Sequence, residues 1–349
     1  MAVMDGQIRE RARFLGQERE RLRGVRGQAL YETLQGLGLS HGHYFRALGT
    51  NVEDYCAQEF GVDLRRVTLE RFFQSDPAAK WLFPDIVRES VLTGMRHTPV
   101  YPQLIAGDEA ISGTVFDVPY VVESEEEESL HLLAEGTAIP ESQITYGNRA
   151  VRLHKLGRGV IASYESIRRM SVDLLRVHLQ RIGERLGRSL DAAAVQVLLE
   201  GDSSGAGTAP VVLNTATANT FAYADLVHAF ITLTTAHHFK PTHLLVSPAT
   251  AEQVLKFSEI ADTNLFEFAR TGSLPTPLGV KLLPVEAQPD DRITLVDAGY
   301  AMQKLTEQDL LVESDKLINQ QWERTYLSVV TNFAILYEKA RVVLNRDWS

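Results

Sequence analysis

The run Tyr164–Glu200, YESIRRMSVDLLRVHLQRIGERLGRSLDAAAVQVLLE, decides how the rest of the chain is read. Apolar residues recur through it at helical spacing: Ile167, Met170, Leu174, Val177, Ile182, Leu186, Leu190, Ala193 and Val197. The other side carries Arg168, Arg169, Arg176, Arg181, Arg185 and Arg188. No proline interrupts it, and Gly183 and Gly187 each cost roughly 1 kcal/mol without forcing a break. A continuous helix here is about 55 Å long at 1.5 Å per residue, well beyond the usual globular helix. Such a length means a coiled coil or a beam on which other layers are laid. A strict 3.5-residue seam is not sustained, which favours the beam.

Working backward, residues 134–166 (AEGTAIPESQITYGNRAVRLHKLGRGVIASYES) read as a strand or two in a long hairpin leading into the beam. This hairpin has too little sequence to build its own core, and no later segment obviously covers it. Residues 98–122 alternate apolar and polar side chains with Pro99, Pro102 and Pro119, which suits extended chain or edge strands. Residues 84–95 read as a short helix with proline in its first turn. Residues 1–40 are rich in arginine (Arg9, Arg11, Arg13, Arg19, Arg21, Arg23, Arg26) interleaved with Glu10, Glu18 and Glu20, the pattern of a solvated helix. Amphipathic helix resumes over 51–75.

Working forward, the beam ends in Gly201-Asp202-Ser203-Ser204-Gly205-Ala206-Gly207-Thr208, a loop of turn formers. A helix over 223–237 precedes the apolar strand 243–247, which Pro248 closes before a second helix, 249–258. Residues 280–285 and 292–297 read as further strands, 309–313 as another, and the β-branched run 325–345 as long strands.

Composition bounds the function. A chain of 349 residues can bury a substantial core and hold two domains. No apolar run reaches membrane-span length, and the N-terminus is charged, so neither a membrane span nor an export signal is expected. Cys56 is the single cysteine, which excludes an internal disulfide and fits a reducing cytoplasm. The formal net charge of −10 argues against coating nucleic acid over most of the surface.

Catalytic and metal motifs fail on inspection. Gly201–Gly205 echoes a serine-protease nucleophile loop, but Ser204 stands where glycine is required, and a long helix precedes it. Turn chemistry explains the loop; a soluble hydrolase using Ser203 or Ser204 is the remote alternative. His237, His238 and His243 lack a carboxylate at ligand spacing, as do His41 and His43, and the cluster Glu123–Glu128 reads as a solvated loop. Gly157-Arg158-Gly159 lacks the third glycine of a dinucleotide fingerprint. No catalytic residue, cofactor or metal is expected.

Four stretches, in order, resemble the major capsid proteins of tailed phages with the Hong Kong 97 phage-type shell fold. They are 134–146 with the returning strand 148–162, the long helix ending in LLEGDSSGAGT (198–208), HLLVSPATAEQVLKF (243–257) with LGVKLLPVEAQ (278–288), and the block 309–347. The resemblance implies an α+β fold in four parts: an N-terminal extension and arm (1–110), an extended loop (111–163), a peripheral domain with the spine helix (164–222 and 309–349) and an axial domain (223–308). It also accounts for the uncovered hairpin, since in this family the extended loop lies over a neighbouring subunit. Glu141, Tyr146, Arg149, Arg152 and Lys155 are then candidates for contact between subunits.

The implied function is assembly into pentamers and hexamers that close an icosahedral shell around double-stranded DNA, which is enclosed rather than specifically bound. Portal, scaffolding and decoration proteins are implied partners, and the virion the implied location, after synthesis in the host cytoplasm. An encapsulin-like shell around cargo protein is the alternative on the same fold. Some members weld their shells through a loop lysine and an asparagine of the peripheral domain, assisted by a glutamate. Lys155 is the one lysine between Lys80 and Lys240, but the asparagine position falls near Trp322 and the glutamate position near Val329, so no cross-link is expected. Residues 1–75 suit, by charge and helicity, the scaffolding segment that some relatives carry.

Overall fold

The computed structural model describes residues 83–97, 99–121, 144–205, 208–258, 260, 277–317 and 322–348, with Thr33, Leu34, Asp54, Ala57 and Asp63 besides. The arginine-rich segment, the helix expected over 51–75, Cys56, the Glu123–Glu128 cluster and Glu141 lie outside the described residues, apart from those isolated positions. The chain divides into two compact units: 1–99 with 155–189 and 308–330, and 100–154 with 190–307 and 331–349.

The first unit contains α1 (Phe83–His97), β4 (His154–Ser163, from Lys155 on), α2 (Tyr164–Arg169) and the first part of α3 (Val172–Glu200). The single long helix expected over 164–200 is therefore two. Met170 adopts an extended conformation (φ −81°, ψ 136°) and ends α2, its amide still donating to the Ser166 carbonyl. The Ser171 hydroxyl then accepts from the Leu174 amide at 3.2 Å, the bond by which an N-cap serine satisfies a free donor of a new helix. What remains is a 29-residue helix, about 44 Å long.

The buried stripe of α3 in this unit also differs from the expected one. Val172, Leu179, Gly183 and Gly187 are buried, whereas Leu174 and Val177 are exposed. Gly183 and Gly187 face α1, whose Ile86, Val87, Ser90, Val91 and Gly94 are buried in turn. A Cβ added at Gly94 would stand 2.0 Å from the Gln180 carbonyl oxygen, and one at Gly187 would stand 3.2 Å from that of Met95. The glycines are places where two helix backbones approach closely, not merely positions a helix tolerates.

The second unit is built on a five-stranded mixed sheet in the order β5 (Val211–Asn214), β11 (Arg341–Asn345), β8 (Arg292–Val296), β6 (His243–Val246) and β7 (Lys281–Pro284). β11 runs parallel to β5 and antiparallel to β8, and β6 runs antiparallel to β8 and parallel to β7. Two strands from outside 223–308, β5 and β11, thus join the sheet made by that segment.

Period-two alternation sends successive side chains to two cores. Leu244, Val246, Leu282, Ile293, Leu295, Val342 and Leu344 pack with Leu226, Ala229 and Leu233 from α4 (Tyr223–Ile231) and its π-helical continuation Thr232–Ala236, and with Val254 of α5 (Pro248–Leu255). Leu245, Leu283 and Val296 pack instead with Ala194, Val195 and Leu198 of α3 and with Phe333 and Ile335 of β10 (Trp322–Ile335). Residues 190–200 are therefore the support under this sheet. Asp191 receives the Val100 and Tyr101 amides at 2.8 Å each, tying the incoming chain to that support. Beyond it, β1 (Asp108–Ala110) pairs in parallel with the start of β9 (Met302–Leu317), where Lys304 Nζ and Thr306 Oγ1 both donate to the Asp108 carboxylate at 2.8 Å.

Candidate functional site

The candidate site is a two-stranded ribbon and its root. β2 (Val115–Val121) pairs antiparallel with β3 (Ile144–Arg152), from Val115 opposite Arg152 to Val121 opposite Ile144. The partner of 144–152 is thus the earlier edge-strand segment. Register slips between Asp117 and Pro119, where proline cannot donate to the ladder. Among the described residues these two strands pair only with each other. A hairpin of that kind is marginal by itself, so what holds its root matters.

The root is held by the loop that leaves α3. Asp202 is buried, its side chain wholly so. Its Oδ1 accepts from the Ser204 amide at 3.0 Å and from the Ser204 hydroxyl, which closes the turn. Its Oδ2 accepts from the Ile335 amide at 2.9 Å and lies 3.8 Å from Arg149 Nη2 of β3. Two further bonds tie the end of β3: the Arg152 amide donates to Ser203 Oγ at 3.3 Å, and Asn332 Nδ2 donates to the Arg152 carbonyl at 2.6 Å. Val151 is buried between these tethers.

Arg341 completes the cluster. It is fully buried, donating through Nε to the Leu198 carbonyl at 2.8 Å and through Nη2 to the Thr208 carbonyl. Burial pulls its guanidinium down to about 10, opposed by the charges of Asp202 and Glu338. It remains protonated at neutral pH, and Leu198 and Thr208 thereby gain a donor for carbonyls at the end of α3 and in its exit loop. Gly201 has φ +94°, the left-handed conformation expected just after a helix, and a Cβ there would meet Thr208.

Of the candidate contact residues, Arg149 is turned inward to Asp202 and Arg152 is exposed while its backbone is tied down. Lys155 is exposed on β4, and Tyr146 stands opposite Pro119 in the ribbon. Ser203 and Ser204, the serines of the tempting nucleophile loop, are engaged in the turn and its tether. Sequence reasoning noted Asp202 only as a turn former; Arg341 carried no signal, because its partners lie 143 and 133 residues away. Among the described residues, no cluster of His, Cys, Asp or Glu could hold a metal ion, and no helix is long and apolar enough to cross a membrane.

A family model described as phage capsid protein matches residues 148–336, more than half of the chain. The chain belongs to the phage capsid protein family. This capsid protein also shares its fold with solved structures. It is similar to the capsid of the native GTA particle (18% identity, TM-score 0.54, covering 73% of this chain and 91% of that one). It is likewise similar to a structure titled Mycobacterium phage Che8 (16%, 0.52, 71% and 92%) and to the virus-like particle from Pyrococcus furiosus (15%, 0.51, 75% and 98%). No curated protein matches its sequence. The capsid protein is a major shell subunit with the Hong Kong 97-type α+β fold, a structural and non-enzymatic component of the virion.

Proposed function

We propose that this capsid protein assembles as pentamers and hexamers into a closed icosahedral shell around double-stranded DNA, and that the β2–β3 ribbon with the chain between its strands lies over a neighbouring subunit. The observation that carries this is the ribbon itself: a two-stranded sheet rooted in a buried polar cluster, whose outer backbone edges pair with no other strand among the described residues. On this reading 1–110 is the extension and arm, 111–163 the extended loop, 164–222 with 309–349 the peripheral domain and 223–308 the axial domain, with β5 and β11 lent to the axial sheet. Tyr146, Arg152 and Lys155, with Glu141, are the residues offered to neighbours; Arg149 serves the root. Closed symmetry lets many weak contacts add up.

The DNA is enclosed without sequence-specific contact, which the net charge of −10 favours. A portal, and scaffolding or decoration proteins, complete the particle, whose subunits are made in the host cytoplasm. Electron microscopy of the purified full-length protein tests the proposal. Shells of one diameter with five-fold and six-fold capsomers are expected, and nuclease-protected DNA in particles from infected cells. A monomer at every concentration would overturn it, and packed enzyme in place of DNA would identify a cargo compartment.

A further inference from the structure

We propose that Asp202 is the positioning residue that fixes the root of the β2–β3 ribbon, so that the ribbon leaves its subunit in one set direction to meet a second copy of this chain. The second half of this statement rests on the reading that the ribbon reaches a neighbour. The first half rests on geometry alone. Asp202 spends one oxygen on its own turn and the other on two different strands, the Ile335 amide of β10 and the Arg149 guanidinium of β3. Its side chain is fully buried, and that of Arg149 is 13% exposed, so this pair is shielded from the solvent screening that makes surface pairs weak. The backbone of Arg152 is held from both sides by Ser203 and Asn332. The tethers thus sit on the last four residues of β3, while its other end pairs only with β2 among the described residues.

A carboxylate at 202 is chemically specific here. It faces Arg149 directly and also stabilises the charge on buried Arg341. An amide could keep a hydrogen bond from Ile335 but would leave both guanidinium groups without this counter-charge. The loop at the end of α3 therefore works as a clamp on the ribbon.

Hydrogen exchange on the full-length chain, kept as unassembled subunits or capsomers, tests the clamp. Asp202→Asn and Arg149→Gln should each speed exchange in 115–121 and 144–152 by about tenfold or more, and leave β6 and β8 unchanged. The double variant should be little worse than either single one, and Arg149→Lys should recover part of the protection. Ser203→Ala, which removes only the acceptor for Arg152, should show a smaller effect confined to the end of β3. Unchanged ribbon exchange overturns the proposal, as does loss of protection in β6 and β8 in step with the ribbon, which would make Asp202 a general stabiliser. Electron microscopy of the same variants then separates the two halves. Loosened ribbons with failed or irregular shells support the docking role, and loosened ribbons with uniform shells overturn it. A wild-type chain that forms no particles would overturn the shell reading and leave the clamp standing.

Discussion

Gly183 meets Val91 backbone to backbone: a Cβ added at Gly183 would stand 2.1 Å from the Val91 carbonyl oxygen and 2.9 Å from the Met95 amide nitrogen. In an isolated helix, Gly→Ala gains about 1 kcal/mol. Here the obstacle is helix backbone, which cannot rotate away as a side chain does, and overpacking of this kind costs about 1–3 kcal/mol or more. Gly183→Ala should therefore lower stability, read as a lower urea midpoint for the full-length protein, with Gly94→Ala behaving alike. Gly187→Ala, at 3.2 Å from the Met95 carbonyl oxygen, should change stability by less than about 1 kcal/mol. A gain in stability for Gly183→Ala would show that α1 and α3 do not pack this closely.

That contact marks the border of what the sequence could reveal. The strands 243–246, 281–284 and 292–296 were legible because their apolar runs are local, and the sheet needs both faces of them buried. The break at Met170 was written in the chain too. Ser171 followed by Asp173 is a helix start, but continuous apolar spacing across it reads as a single helix. The role of Gly183 was not legible, since it depends on a helix some 90 residues earlier. The Asp202 cluster was hidden for the same reason. Arg149, Asp202, Ile335 and Arg341 are gathered by topology, and a GDSSG loop viewed alone shows only turn chemistry.

Asp191 should distinguish a hydrogen bond from a charge. Burial holds its carboxyl above the ordinary aspartate value, against the lowering effect of the Tyr101 and Val100 amides. Because the folded value is raised, the native state binds more protons than the unfolded one between the two values. The ionised group therefore costs stability at neutral pH, and the cost lifts as pH falls through the raised value. Asp191→Asn keeps an acceptor for both amides and removes the charge. It should match or exceed wild-type stability at pH 7, with the difference shrinking in acid. Asp191→Ala orphans both amides and should lose about 1–3 kcal/mol at pH 7, and more in acid, where the wild-type carboxyl is protonated. Urea midpoints at pH 4, 5.5 and 7 give the comparison, and an Asn variant as weak as the Ala variant would contradict it.

Arg341 should contribute no pH dependence across the range in which shells are handled. Its value is lowered to about 10 by burial, so it is protonated in both folded and unfolded chains from pH 5 to 9. Only above about 10 does the unfolded chain hold the extra proton, and there this site adds stability as pH rises. Arg341→Met removes the donors to Leu198 and Thr208 and leaves Asp202 without one of its two cations. It should lose about 3–5 kcal/mol, equally at pH 6 and pH 9. A thermal midpoint that changes between those two values in wild type but not in Arg341→Met would assign the titration to this residue and overturn the prediction.

The residues at the expected cross-link positions have the wrong chemistry for a covalent weld. Lys155 is exposed on β4 and available as a nucleophile, but Val329 is buried in β10 and has no proton-accepting group. Trp322 at the start of β10 offers no amide carbonyl in its side chain for a lysine to attack. An isopeptide bond needs a base to deprotonate the amine and a side-chain amide to attack, from which ammonia leaves, and this chain has neither the base nor the amide at these positions. Shells of this protein should therefore dissolve to a single monomer band in boiling detergent, and Lys155→Arg should leave that pattern unchanged. A ladder of dimers to hexamers that vanishes in Lys155→Arg would reveal a weld through a different acceptor.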